Sequence, residues 1–250
     1  MRRRLVSLLL SAVAAGCTTS AGASDPVAPG PAPSPVLYAA VGASETAGVG
    51  TRDPSRDAWP RVLWRTELEG AVLFDFGVPG STVEQALVEQ VPEAVAVGPD
   101  VVTVWLNVND LIDGVPARRF ERRLSEVVGA LARGGRSQVF VANVPVLTGL
   151  PLYLACRPDP PPDGPGCPIG DALPGPEVIA AATEAYNRAI ARVADRFGAT
   201  VVDLHGLGDL ASVDPSYVSE DGFHPSTEGA RLIAGRFAAA IAMRADAGGA

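Results

Sequence analysis

Val101-Val102-Thr103-Val104-Trp105-Leu106 runs directly into Asn107-Val108-Asn109-Asp110. A short, nearly continuous apolar run of this kind is the pattern of a strand buried on both faces. Such strands belong to parallel sheets with helices packed on each side. Working outward, the pattern recurs at Val36–Val41, Ala71–Phe76, Gln138–Asn143 and Thr200–Leu204. Between and after these runs lie stretches with apolar residues at helical spacing, at 59–68, 83–95, 117–133, 177–197 and 227–243. Strand and helix alternate, so the expected class is α/β, a flavodoxin-like three-layer sandwich with a five-stranded parallel sheet. In such sheets the chemistry lies at the carboxyl ends of the strands.

The composition agrees with one sizeable core. Of 250 residues, 47% are hydrophobic and 19% charged, which excludes a wholly disordered chain. The net charge of -8 argues against nucleic-acid binding, which needs a basic face to displace counterions. Every basic residue is arginine, so a catalytic lysine and its Schiff-base chemistry are excluded. The arginines at 118, 119, 122 and 123 lie opposite the apolar stripe of their helix and read as a solvated face.

The two ends read differently from the middle. Arg2-Arg3-Arg4 before the apolar run Leu5–Ala15 has the form of an export signal, too short to span a bilayer as a mature helix. It ends in Ala14-Ala15-Gly16-Cys17, similar to a bacterial lipobox in which Cys17 is lipidated; a secretory signal cut after Ala21-Gly22-Ala23 is the alternative. Residues 18–35 are poor in core-forming side chains and read as a flexible tether. The expected organisation is a signal at 1–17, a tether at 18–35, a folded domain at 36–244 and a disordered tail at 245–250. The protein is expected in the cell envelope, anchored to the membrane by lipid, or otherwise secreted. In an exported chain, Cys156 and Cys167 suggest a local disulfide, since two thiolates alone do not fill a zinc shell. They lie in a Pro- and Gly-rich segment, 148–176, expected to be an irregular lid or wall beside the site, or a surface insertion without consequence.

The residues just beyond the strands carry the candidate chemistry. Ser44 follows Gly42-Ala43 at a strand-to-helix turn, where it suits an exposed nucleophile or an N-cap. Gly77-Val78-Pro79-Gly80 suits backbone donors facing an anion, or a plain tight turn. Asn109 suits an amide donor to an oxyanion, and Asn109-Asp110 equally suits a helix cap. Asp221 stands three residues before His224, spaced to hold that imidazole in one tautomer and leave its other nitrogen as a base. His205, the other histidine, lacks a carboxylate at that spacing.

In this order the blocks resemble the SGNH (GDSL-type) hydrolases over about residues 36–243. The resemblance implies Ser44 as nucleophile, Asp221 and His224 as its partners, and an oxyanion hole from the Ser44 and Gly80 backbone and the Asn109 side chain. Trp59-Pro60 matches an aromatic-proline pair taken as packing. Three positions depart from the pattern: Ala43 stands for the usual Asp, Glu45 for the usual Leu, and Asn107 for the first Gly of the third block. The implied activity is that of a serine esterase or lipase on carboxylic esters, with no metal or cofactor. Acyl transfer to, or deacetylation of, a surface carbohydrate is one alternative. A non-catalytic surface-binding lipoprotein is the other.

Overall fold

In β1 (Leu37–Gly42), Tyr38 and Ala40 turn to one side of the sheet and Ala39 and Val41 to the other, and all four are buried. The computed structural model describes residues 34–160, 162–164, 166–169 and 173–248; the signal segment, Cys17 and the tether as far as residue 33 lie outside them. After β1 come α1 (Ser44–Ala47), α2 (Pro54–Asp57), α3 (Trp59–Glu67), β2 (Val72–Asp75), α4 (Val83–Glu89), α5 (Val91–Ala96), β3 (Val101–Trp105) and α6 (Val108–Ile112). The second half holds α7 (Ala117–Ala132), β4 (Gln138–Ala142), α8 (Pro151–Cys156), α9 (Pro176–Phe197), β5 (Thr200–Val202), α10 (Leu210–Val213) and α11 (Thr227–Gly248).

All strand pairings are parallel, in the order β2-β1-β3-β4-β5. This is the flavodoxin-like order, in which the chain reverses its direction of winding between β1 and β3. On one face Ala39, Val41, Val102, Val104, Val139 and Val141 pack under α4, α5, α7 and α9. On the other, Tyr38, Ala40, Trp105, Phe140 and Val202 pack under α3 and α11. The period-2 alternation thus divides nearly every apolar strand residue between two cores.

Three elements differ from the sequence expectation. The helix expected at 83–95 is two helices, because Pro92 has no N–H to continue the first and starts the second instead. The segment expected to be irregular contains α8, also opened by a proline. The last helix runs to Gly248, beyond residue 244. Cys156 at the end of α8 is disulfide-bonded to Cys167, with Cα atoms 4.7 Å apart.

Trp59 anchors the second core. Its ring stacks on Phe237 of α11 at 4.2 Å and meets Trp105 of β3 at 6.4 Å. Its indole N–H is buried without a partner among the described residues. Trp59→Ala is expected to cost about 3–5 kcal/mol in denaturant unfolding. Trp59→Phe, which keeps the stack and removes the unpaired donor, is expected to cost far less; equal losses would contradict this account of the packing.

Candidate active site

The rim above β1 and β3 is built from polar groups that the buried strands deliver to their carboxyl ends. Gly42 ends β1, and a Cβ there would collide with Thr46 Oγ1, so the chain can turn tightly into α1 only with glycine. Ser44 is the first residue of α1 and is buried. Its Oγ donates to Glu45 Oε2 at 3.3 Å. Gly80 is exposed at φ +80°, a left-handed conformation that favours glycine.

The third block ties these turns together. Asn109 Nδ2 donates to the Ser81 carbonyl at 3.0 Å. An amide carries two N–H donors, so this bond fixes the direction of the second. Asp110 Oδ2 accepts from the Val83 N–H at 2.8 Å, at the start of α4. Burial pushes the Asp110 carboxyl up to about 6, against the pull of that N–H. Asn107 Nδ2 donates to the Ala142 carbonyl at 3.0 Å and joins β3 to the end of β4.

Gln90 is a residue the sequence reading missed. It is 2% exposed, accepts from Gly42 N–H at 3.0 Å, and donates to the Gly42 carbonyl at 3.0 Å and to Ser81 Oγ at 2.9 Å. It thereby clasps the turn that carries Ser44 to the turn after Gly80. The signal was present: Gln90 lies four residues after Ala86, on the apolar stripe of its helical stretch, where a polar side chain needs a buried partner.

The histidine block arrives from the other side. His224 Nδ1 lies 2.6 Å from Asp221 Oδ2. Asp221 Oδ1 accepts from the backbone N–H groups of Phe223 and His224 and from Ser219 Oγ at 2.7–2.9 Å. Burial alone would raise the Asp221 carboxyl; the donors, led by His224, outweigh it and bring the group down to about 2. An ionised Asp221 makes Nδ1 the protonated nitrogen and leaves Nε2 as acceptor. The Phe223 ring meets the imidazole edge-on at 4.9 Å. Gly50, beyond α1, packs so closely that a Cβ there would meet His224 Cβ at 2.8 Å.

Glu45 and His224 line one cavity of about 40 Å³, with Trp105, Val108 and Leu147 among its walls. A second, almost wholly apolar cavity of about 200 Å³ lies beyond Leu147, Leu150 and Phe223, which border both. Its outer wall includes Tyr153, Ile169 and Leu173 from the disulfide-bonded segment. His205 takes no part in either. It follows β5, where its N–H donates to Asn143 Oδ1 at 2.8 Å and its Nδ1 lies 3.1 Å from the Val144 carbonyl. The arginine run of α7 is partly paired, Arg119 and Arg123 both meeting Glu84. Among the described residues no group of three or more metal-ligating side chains is found, and no helix is long and apolar enough to cross a membrane.

The model of the GDSL-like lipase/acylhydrolase family matches residues 40–232. An acetylxylan esterase from Xylanibacter ruminicola is 28% identical over 228 residues, covering 85% of this chain; the chain spans 44% of that protein's length. Among solved structures, a psychrotrophic esterase from Pseudoalteromonas sp. superposes with a TM-score of 0.61 at 16% identity, covering 84% of this chain and 98% of the other. A lipase/acylhydrolase from Enterococcus faecalis gives 0.61 at 20% identity, covering 84% and 96%. At these identities the structures share the fold.

Asp110 offers a test of how the rim is held. Its folded-state value of about 6 lies above the ordinary carboxylate value, so the folded protein binds this proton more tightly than the unfolded chain. The group's contribution to stability therefore falls as pH rises from about 4 to about 6. Asp110→Asn, which keeps an acceptor for the Val83 N–H, is expected to gain in thermal stability relative to the parent across that window. Melting curves with a pH-independent difference would contradict the assignment.

Proposed function

The chain belongs to the GDSL-like lipase/acylhydrolase family, and from that premise we propose that it hydrolyses carboxylic esters by acyl transfer through Ser44. The observation that carries the reading is the Asp221–His224 pair, held at 2.6 Å beside a cavity that the immediate neighbour of Ser44 also lines. His224 takes the Ser44 proton on Nε2, and Oγ attacks the ester carbonyl. The Ser44 and Gly80 backbone N–H groups and the second N–H of Asn109 receive the oxyanion, each donor worth on the order of 3 kcal/mol. The alcohol leaves with the proton from His224, and water, deprotonated by the same imidazole, releases the acid.

Ser44→Ala is expected to abolish both ester hydrolysis and labelling by a fluorophosphonate, with the fold intact. Undiminished hydrolysis in that variant ends the proposal, and an unlabelled parent protein favours a non-catalytic binding role. Asn109→Ala is expected to lower kcat about a hundredfold with little change in KM.

A second reading, removal of acetyl groups from a carbohydrate, is favoured by the acetylxylan esterase relative and by the size of the cavity beside His224. At about 40 Å³ against about 200 Å³, it is much the smaller of the two cavities and suits a short acyl group better than a long one. Acetyl esters are expected to turn over faster than octanoyl esters. Phe223→Ala, which removes a shared wall of the two cavities, is expected to narrow that preference; a preference for octanoyl in the parent protein would reverse the assignment of the acyl side. Partition of the acyl group to an added sugar alcohol separates a transferase from a hydrolase. The export segment and Cys17 support an envelope location with the domain tethered to a membrane surface.

A further inference from the structure

The carboxylate next to Ser44 has no part in the scheme above, yet it sits where that scheme would feel it. Glu45 is 8% exposed, accepts the Ser44 hydroxyl at 3.3 Å, and shares a cavity with His224. We infer that ionised Glu45 is a positioning residue for the proposed proton transfer, stabilising the imidazolium that forms on His224; the inference rests on the esterase reading.

The two interactions of Glu45 belong to different stages of the reaction. In the attack step the Oγ–H bond breaks and its proton goes to Nε2. An Oγ–C bond forms, and the carbonyl π pair moves to the oxygen. His224 passes from neutral to positive. Attraction between that new charge and a buried carboxylate is strong and arises only as the proton moves, so it lowers the transition state more than the ground state. The opposing effect is loss of the Ser44–Glu45 hydrogen bond. At 3.3 Å that bond is longer than the normal range for two oxygens, so its loss is the smaller term. The net effect favours reaction.

The groups that could compete are few. α1 contributes Ser44 and Glu45, and the loop before α11 contributes Asp221 and His224. Tyr217 brings a phenol to the cavity wall, while Trp105, Val108 and Leu147 from the β3 and β4 ends bring no charge. Burial holds the Glu45 carboxyl above the ordinary carboxylate range, against its own backbone N–H, the nearby His224 and the Ser44 hydroxyl. Glu45 therefore takes up its proton early on acidification, and its effect on the reaction ends there.

The test compares the parent protein with Glu45→Gln and Glu45→Leu on a soluble acetyl ester from pH 5 to pH 9, with melting curves at each pH. Glu45→Gln keeps an acceptor for the Ser44 hydroxyl, Glu45→Leu does not, and neither carries the charge. The expected result is a kcat about tenfold lower in each variant at pH 8, a KM changed less than about twofold, and a parent-to-variant ratio that shrinks toward one as pH falls. A ratio of one at pH 8, or a deficit constant across pH, overturns the inference, since a packing role would not follow the charge of Glu45. Variants too unstable to assay at pH 8 also overturn it, because Glu45 would then be structural. Failure of the parent protein to label at Ser44 overturns the esterase reading itself. Labelling with a flat ratio overturns this inference alone.

Discussion

The rest of the rim depends on one constraint: β1 and β3 are buried on both faces, so a polar group near their ends is costly unless it finds a protein partner, and among the described residues only Thr46 Oγ1, Trp105 Nε1 and Asn107 Oδ1 of this edge lack one. A buried, unpaired amide costs several kcal/mol, and pairing is the way to avoid that cost. Asn107 meets it in part, through its N–H on Ala142, Asn109 by bonding Ser81, Asp110 by bonding Val83, and Gln90 by bonding Gly42 and Ser81. The first three bonds cross from one strand-end segment to another, and Gln90 reaches two such segments from the junction of α4 and α5. The demand for satisfaction thereby joins the turns after β1 and β2 and the ends of β3 and β4 into one braced edge. A site held this way owes its rigidity to the sheet beneath it, although its residues are on turns.

Two carboxylates near this edge show how environment separates groups of one chemistry. Asp221 is exposed and surrounded by donors, and it stays ionised down to about pH 2. Glu45 is buried beside apolar walls, and its carboxyl is pushed the other way. Above about pH 2 Asp221 is therefore a constant negative charge on the Nδ1 side of His224. Glu45 is the member of the pair that gains its proton at the higher pH.

β1, β3 and β4 were legible because a strand buried on both faces must be apolar at nearly every position, and β2 and β5, only partly buried at the sheet edges, were legible as shorter runs of the same kind. Ser44, Gly80, Asn109 and the Asp221–His224 pair were legible as positions because they immediately follow strands or precede the last helix. Their hydrogen bonds were not, since Asn109 to Ser81 and Asp110 to Val83 span gaps of 28 and 27 residues. Gln90 was missed for a related reason: its partner Gly42 lies 48 residues earlier, and a helical stripe read by itself gives no account of one polar member. The break before Pro92 was readable from proline chemistry alone and was passed over in favour of the longer periodic pattern. α8 was hidden by composition, because prolines that mark irregular chain elsewhere open a helix at Pro151.

That hidden helix bears on how the disulfide-bonded segment acts. The Leu152 N–H in the first turn of α8 donates to the Gly222 carbonyl at 3.0 Å, between Asp221 and His224 in sequence. Gly222 sits at φ +72°, and a Cβ there would come within 3.0 Å of Leu152 N and Pro151 Cβ. Helix and histidine loop thus approach each other closely, with the Leu152 N–H and the Pro151 side chain directly against Gly222. The far end of α8 is fixed twice, by the Cys156–Cys167 bond and by the Leu173 N–H on the Cys156 carbonyl at 2.7 Å. Tyr153 adds a third tie, its hydroxyl donating to the Pro174 carbonyl at 2.9 Å. The segment thus bears on the loop that carries Asp221 and His224 through Gly222, which lies between them in sequence. The segment is therefore better described as a brace for the histidine loop that also walls the apolar cavity than as a cover alone.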